Sequence, residues 1–430
     1  MIYCIILLQY SVQNIIKQNM EMIMKLKNKV LMGAALAVSL VGLGLGQSFM
    51  QNGGGQATAQ SPQAPAFEVD PFWPQPLPNG WILGNVIGVA VDARDHVYIV
   101  HRAWGEGIFK PYAELGLQLG TSICCTAAPP IIEFDADGNL VRAWGGPVEG
   151  APYTWPESNH GIEVDYKGNI WIGGNGKNDS HILKFTNDGK FLAQYGTPGI
   201  STPASNDTSH FSRVAKISVV EETNEAFIAD GYGNKRIAVL DADTGEFKRY
   251  WGAYGEKNIV DPTERYRHDP ATPPSKTFTG PVHCVEPSND GLLYVCDRTS
   301  DRIQVFKRDG TYLSEVLIAP TTGSQGSTWD LDFSRDEAQK YIYLADGQNQ
   351  RVYIIDRASM EILTQFGGGG RQPGLWFAPH SLATDSKGNI YTTETYEGKR
   401  IQKFKYQGIK DIPNADQGAL WPAGERHDKM

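Results

Sequence analysis

Residues 160–174, HGIEVDYKGNIWIGG, and residues 181–196, HILKFTNDGKFLAQYG, decide the fold. Apolar and polar positions alternate with a period of two, and the runs are separated by Lys-Gly-Asn and Asn-Asp-Gly turns, the pattern of antiparallel hairpins. The same cycle of strand, Asp/Gly turn, aromatic-rich strand, polar turn and a third strand recurs at 214–252, 282–316, 329–367 and 380–404. A degenerate first copy opens at 88–102 as GVAVDARDHVYIVHR and, after an insertion, resumes at 131–146 as IIEFDADGNLVRAWGG. No helical period interrupts the copies. Six units of three or four strands predict an all-β, six-bladed β-propeller with its blades at about 80–408.

The flanks fit that reading. Residues 66–80, AFEVDPFWPQPLPNG, can lend an edge strand to the last blade and close the ring, while the tail at 409–430 has little pattern and is expected to wrap the surface. The insertion at 103–128, which carries Cys124 and Cys125, is long enough to be a functional loop at one end of the channel, and reads equally well as surface decoration.

The chain has 430 residues with 47 Gly and 25 Pro, which its turns absorb. Its 39 basic and 48 acidic side chains give a formal charge of −9. Nucleic acid is excluded as a partner on that ground, because binding a phosphate backbone draws on clustered Lys and Arg. The long apolar run, residues 30–46, follows Lys25, Lys27 and Lys29 and precedes a polar stretch with an Ala57-Thr58-Ala59 cleavage motif. This is an export signal, with an uncleaved membrane anchor as the alternative, and Met24 makes a better signal start than Met1. Residues 1–60 are therefore expected to be presequence and linker, and 61–430 a single propeller. The expected location is secreted or periplasmic, where disulfides persist. A closed ring protects its strand edges, so a monomer is expected.

One column of the repeat breaks the apolar pattern. The residue leading the first strand is Ile87, His160, Ala215, His283, about Thr328, and His380 in blades one to six. Alternate blades of six put those three imidazoles about 120° apart around one axis. Such a site, with open positions for water or substrate, suits Zn²⁺ first and does not exclude Fe, Cu or Mn. Channel-lining histidines bonded to water are the plain structural alternative. Of the other histidines, His101 beside Arg102 is the one that could also belong to the site. Arg102 and Arg298 share a repeat position in blades one and four, and Tyr232 follows the matching strand in blade three. Arginines beside a metal suit a carboxylate, and a Tyr near a cation can act as a base. Each of the three taken singly also reads as a turn residue.

GVAVDARDHVYIVHR at 88–102, HGIEVDYKGNIWIGG at 160–174, FIADGYGNKRI at 227–237, HCVEPSNDGLLYVCDRTSDRIQVF at 283–306 and PHSLATDSKGNIY at 379–391 together resemble the peptidyl-α-hydroxyglycine α-amidating lyases, which are NHL-type six-bladed propellers. The resemblance implies a catalytic zinc on His160, His283 and His380, substrate-binding roles for Arg102 and Arg298, and a catalytic role for Tyr232. It also implies a structural calcium held by the backbone carbonyls of Val89 and Ile162 and by a carboxylate directly after the third His. Ser381 stands there instead, which counts against Ca²⁺, since a hydroxyl replaces a charged oxygen in a hard-cation site. Gly233 likewise replaces a Cys that the family pairs. Cys284 and Cys296 lie on the two arms of one hairpin and are expected to form a cross-strand disulfide, whereas Cys124 and Cys125 are either a vicinal bridge or free thiols.

The implied reaction cleaves a carbinolamide to an amide and glyoxylate, on a small-molecule or peptide substrate bearing a carboxylate. No copper monooxygenase domain that would make a hydroxyglycine accompanies this chain, so another hydroxylated small molecule is a further candidate. Two rivals stand beside this enzyme. One is a different metal-dependent propeller hydrolase or lactonase, for which a carboxylate-rich cation site would be expected and does not stand out. The other is a non-catalytic NHL propeller that binds a protein or glycan.

Overall fold

The computed structural model describes residues 62–422 except 106–107, 110–113, 262–267 and 413. The expected presequence at 1–60, with its apolar run and cleavage motif, lies outside the described residues. Among the described residues no helix is long and apolar enough to cross a membrane.

The hairpin turns are set by Asp-x-x-Gly-Asn. In the turn after the first strand of blade two, Asp165 Oδ1 accepts the backbone N–H groups of Lys167 at 2.9 Å and Asn169 at 2.8 Å, and Gly168 adopts φ +78°. An Asx turn closed by a left-handed glycine reverses the chain in four residues, and Asp135 and Asp385 repeat it.

These turns build six four-stranded antiparallel sheets. Blade two is Asn159–Val164, Ile170–Gly174, His181–Phe185 and Phe191–Gly196, in sequence order, and blades one, three, four and five follow the same scheme. Blade six consists of Pro379–Thr384, Ile390–Glu394 and Ile401–Asp411, with Gln63–Asp70 as its outer strand. Each blade's first strand touches the first strand of the next, and that of blade six touches that of blade one, so the ring is closed. The edge strand expected from the N-terminal flank is present and begins at Gln63, ahead of the stretch from which it was anticipated.

Successive side chains on a strand point to opposite faces. In blade three Phe227 and Val239 pack with Leu293 and Phe306 of blade four, while Ala226, Ile228 and Leu240 pack with Trp171 and Ile182 of blade two. Each blade is thus apolar on both faces, and the core is six inter-blade layers. Burying each such aromatic contributes roughly 1.5–3 kcal/mol.

The tail runs along the outer strand of blade five, where Gln365 N donates to Ala415 O and Gly367 N donates to Gly418 O. The insertion carries a short helix, Leu115–Gln118, and a two-residue strand, Thr126–Ala127, paired with Trp81–Ile82. The expected Cys284–Cys296 disulfide joins directly opposed strand positions, and of the two alternatives for Cys124 and Cys125 the vicinal bridge is the one present.

Candidate active site

In each blade the start of the first strand lies beside the end of the second, as in the pairings His160↔Gly173 and Val282↔Asp297. Residues that lead a first strand and residues that follow a second strand therefore meet at one end of the channel. All six polar residues singled out from the sequence fall in one of these two classes.

His160, His283 and His380 are buried, and their ring centroids are 4.9–5.2 Å apart in pairs. One ring nitrogen from each lies within 4.8 Å of the other two. His160 Nδ1 donates to Ala215 O at 2.7 Å and His283 Nδ1 donates to Trp329 O at 2.5 Å. A carbonyl only accepts, so Nδ1 carries the proton and Nε2 keeps a lone pair. Gly161 makes the first contact possible: it has φ +66°, and a Cβ there would stand 2.6 Å from Ala215 O. The residue of blade five in this column is Trp329, not Thr328, because Trp329 N bonds Ala345 O as Ala215 N bonds Ala229 O.

The imidazoles are neutral. Burial, then the Arg102 guanidinium, push His160 down to about 3. Burial and Arg298 hold His283 well below its ordinary value, and burial and His160 do the same for His380.

Tyr232 Oη sits 3.0 Å from His160 Nε2 and 3.1 Å from His283 Nε2, and accepts a hydrogen bond from Arg298 Nη1 at 3.1 Å. The Arg298 guanidinium lies over the Trp329 ring at 4.5 Å and donates from Nη2 to Gln325 Oε1 at 2.8 Å, while its buried Nε has no hydrogen-bond partner. Arg102 donates from Nη2 to Asn175 Oδ1 at 2.9 Å and from Nε to Asn159 O at 3.3 Å, and Ser158 Oγ donates to the same Asn175 oxygen. Among the described residues neither guanidinium is paired with a carboxylate. Two positive charges, Arg298 buried and Arg102 partly so, beside three neutral imidazoles make a site that favours an anion.

Asn175, Gln325 and Trp329 were missed in the sequence. Asn175 could have been found, since it directly follows the second strand of blade two as Arg102 and Arg298 follow theirs. His101 does not belong to the site: its Nδ1 accepts from Gly84 N and its Nε2 donates to Pro129 O, which fixes the root of the insertion. A second convergent group, Asp92, His96 and Glu133, is already neutralised by Arg94 and Arg142.

The Nε2 lone pairs of His160 and His283, with one ring nitrogen of His380 converging on them, fit a transition-metal ion. The calcium set does not fit. The Ser381 hydroxyl is engaged as a donor to Asp330, and the Asp330 carboxylate is already paired with the Lys216 ammonium. A hard cation would find no free charged oxygen there.

No family model matches the chain. It is 26% identical over 358 residues to NHL repeat-containing protein 3 of Mus musculus, covering 79% of this chain and 84% of that protein. It is 26% identical over 334 residues to the Caenorhabditis elegans protein named "Probable peptidyl-alpha-hydroxyglycine alpha-amidating lyase pgal-1", covering 75% and 83%. The chain is an NHL-repeat propeller resembling the amidating lyases. Peptidylglycine alpha-amidating monooxygenase of Rattus norvegicus is 26% identical over 341 residues, 76% of this chain but 32% of that longer protein. The propeller thus corresponds to about a third of the rat protein.

Proposed function

We propose that this propeller is a metal-dependent carbon–nitrogen lyase that cleaves a carbinolamide, R-CO-NH-CH(OH)-COO⁻, to R-CO-NH₂ and glyoxylate. The reading is carried by the pairing of three converging neutral imidazoles with two guanidiniums that lack a carboxylate partner, around a single tyrosine hydroxyl. His160, His283 and His380 would hold the ion, Zn²⁺ by preference. When bound, it would supply Lewis-acid polarisation of the substrate hydroxyl.

The chain's own groups supply the rest. Arg102 and Arg298 hold the substrate carboxylate, and Asn175 and Gln325 fix their planes. Tyr232 Oη takes the hydroxyl proton, and Arg298 Nη1 donates to that oxygen, which stabilises charge there. The O–H electron pair becomes the carbonyl of glyoxylate as the C–N bond breaks, and the proton passes to the departing amide nitrogen. Two disulfides support a location outside the reducing cytosol. A carboxylate-bearing small molecule or peptide is the partner, and the protein acts as a monomer.

Purified protein is expected to hold about one zinc per chain, measured by plasma emission, and to lose it when His160, His283 and His380 are each replaced by Ala. Retention of zinc by all three variants would overturn the assignment. The pH dependence of uptake follows from the lowered pKa values. A lowered pKa keeps an imidazole neutral to lower pH, so protons do not compete with the metal near neutrality. Cobalt affinity, followed by visible absorption, should be unchanged between about pH 8 and about pH 6. Three ordinary imidazoles of pKa about 6.5 would lose roughly 70-fold at pH 6, so a loss of that size would contradict the buried, neutral trio.

A non-catalytic NHL propeller is the second reading. It is favoured by the relatives in mouse and human named only for their repeats. Glyoxylate release from an α-hydroxyhippurate-type substrate separates the two: zinc with no glyoxylate would leave a metal-binding propeller without the lyase step.

A further inference from the structure

Just beyond the imidazoles, four blades are tied together by one cluster of charged side chains. Lys216 of blade three extends its ammonium to Asp330 Oδ1 of blade five at 2.7 Å and to Glu286 Oε2 of blade four at 2.8 Å. The other oxygen of Asp330 accepts from Ser381 Oγ and from Leu382 N, both in blade six. Lys216, Asp330 and Ser381 line one narrow cavity together with Ile162 and the rings of His283 and His380. Burial works against the ammonium, but Asp330 and Glu286 outweigh it and hold Lys216 protonated.

We propose that Lys216 is the resident cation of this channel, doing with an ammonium what the resemblance would assign to calcium, and that the propeller needs no calcium. A calcium ion takes six to eight oxygen ligands with several charged carboxylates among them. Here the carboxylate expected after the third His has become Ser381, its charge is supplied from Asp330, and an ammonium on a flexible stem neutralises that charge. The substitution is concerted: cation and carboxylate have both moved, and each is satisfied by the other.

The tie also sets the imidazoles. Lys216 follows Ala215, whose carbonyl receives His160 Nδ1, and Asp330 follows Trp329, whose carbonyl receives His283 Nδ1. Ser381 follows His380 directly. One ion pair therefore fixes the backbone beside two carbonyl supports of the triangle and, through Ser381, beside the third imidazole itself.

The test uses the purified full chain and no activity readout, so its failure is separate from failure of the lyase reading. Equilibrium dialysis against millimolar CaCl₂, with calcium measured by emission, should find no stoichiometric calcium in the wild type, and its Tm should not respond to CaCl₂. Lys216→Met, which uncovers Asp330 and Glu286, should melt lower and gain a calcium-dependent rise of roughly 5 °C at calcium about 100 times its Kd. If that variant does not fold, Lys216→Arg decides: folding without calcium supports the inference, and a calcium requirement overturns it. Stoichiometric calcium in the wild type, or a Lys216→Met protein as stable as wild type and silent to calcium, overturns it as well.

Discussion

Tyr232→Phe is expected to lower glyoxylate release by about 10²–10⁴-fold, the usual contribution of one positioned acid–base group, with metal content and Tm unchanged. The ring stays in place, since its contacts with His160 at 4.9 Å and with the Arg298 guanidinium at 5.5 Å are made by carbon. What is lost is one oxygen, the atom that faces two imidazole nitrogens and receives Arg298 Nη1. Steady-state kinetics with a chromophoric glyoxylate assay would read the effect, which should fall on kcat more than on KM. A loss below about tenfold would remove Tyr232 from the proton-transfer role, and a matching loss of zinc would recast it as a support for the imidazoles.

The largest effect on stability is expected at Arg236. Its guanidinium is fully buried and donates from Nε to Asp230 Oδ2 at 2.9 Å, from Nη1 to the carbonyls of Ser205 and Asp207, and from Nη2 to His210 O at 2.9 Å. Arg236→Met would leave Asp230 charged and buried, with the Ser212 N–H and the Asn234 amide as its remaining donors. Removing one partner of a buried pair costs about 3–5 kcal/mol, to be read from urea unfolding monitored by tryptophan fluorescence. Asp230→Asn in the same chain should restore part of the loss by removing the stranded charge. A cost under about 1 kcal/mol for Arg236→Met would mean that the pair is solvated in a way its burial denies. Asp230 ends the strand that leads into Tyr232, so this variant should also lower activity.

The fold was legible because each blade repeats one local period, and a period of two with Asx-Gly turns is written into neighbouring residues. The imidazole column was legible for the same reason, as were Arg102, Arg298 and Tyr232, which mark strand ends. Blade five was miscounted by one residue because 320–328, rich in Gly, Ser and Thr, offers no alternation to anchor the register. Gln325 lies in that same stretch, which hid its role beside Arg298. The pairings that hold the guanidiniums were out of reach for a more general reason, although Asn175 itself marks a strand end. Arg102 and its partner Asn175 belong to different blades and are 73 residues apart, so no single repeat records the pairing. Lys216 stands one residue after the imidazole column, but a lysine beside an apolar run reads as a solvent-facing residue until blades four and five are brought against it.

The way the ring shuts has a consequence for when the site can exist. Gln63–Asp70 leaves the ribosome ahead of the first blade, yet it pairs with Ile401–Asp411, and 348 residues separate Gln63 from Asp411. The propeller therefore stays an open arc until its sixth blade is made, and His380, carried by that blade, joins the other two imidazoles only then. The triangle of imidazoles belongs to the closed ring rather than to any part of it. A chain truncated before residue 380 would have five blades in hand and two of the three imidazoles.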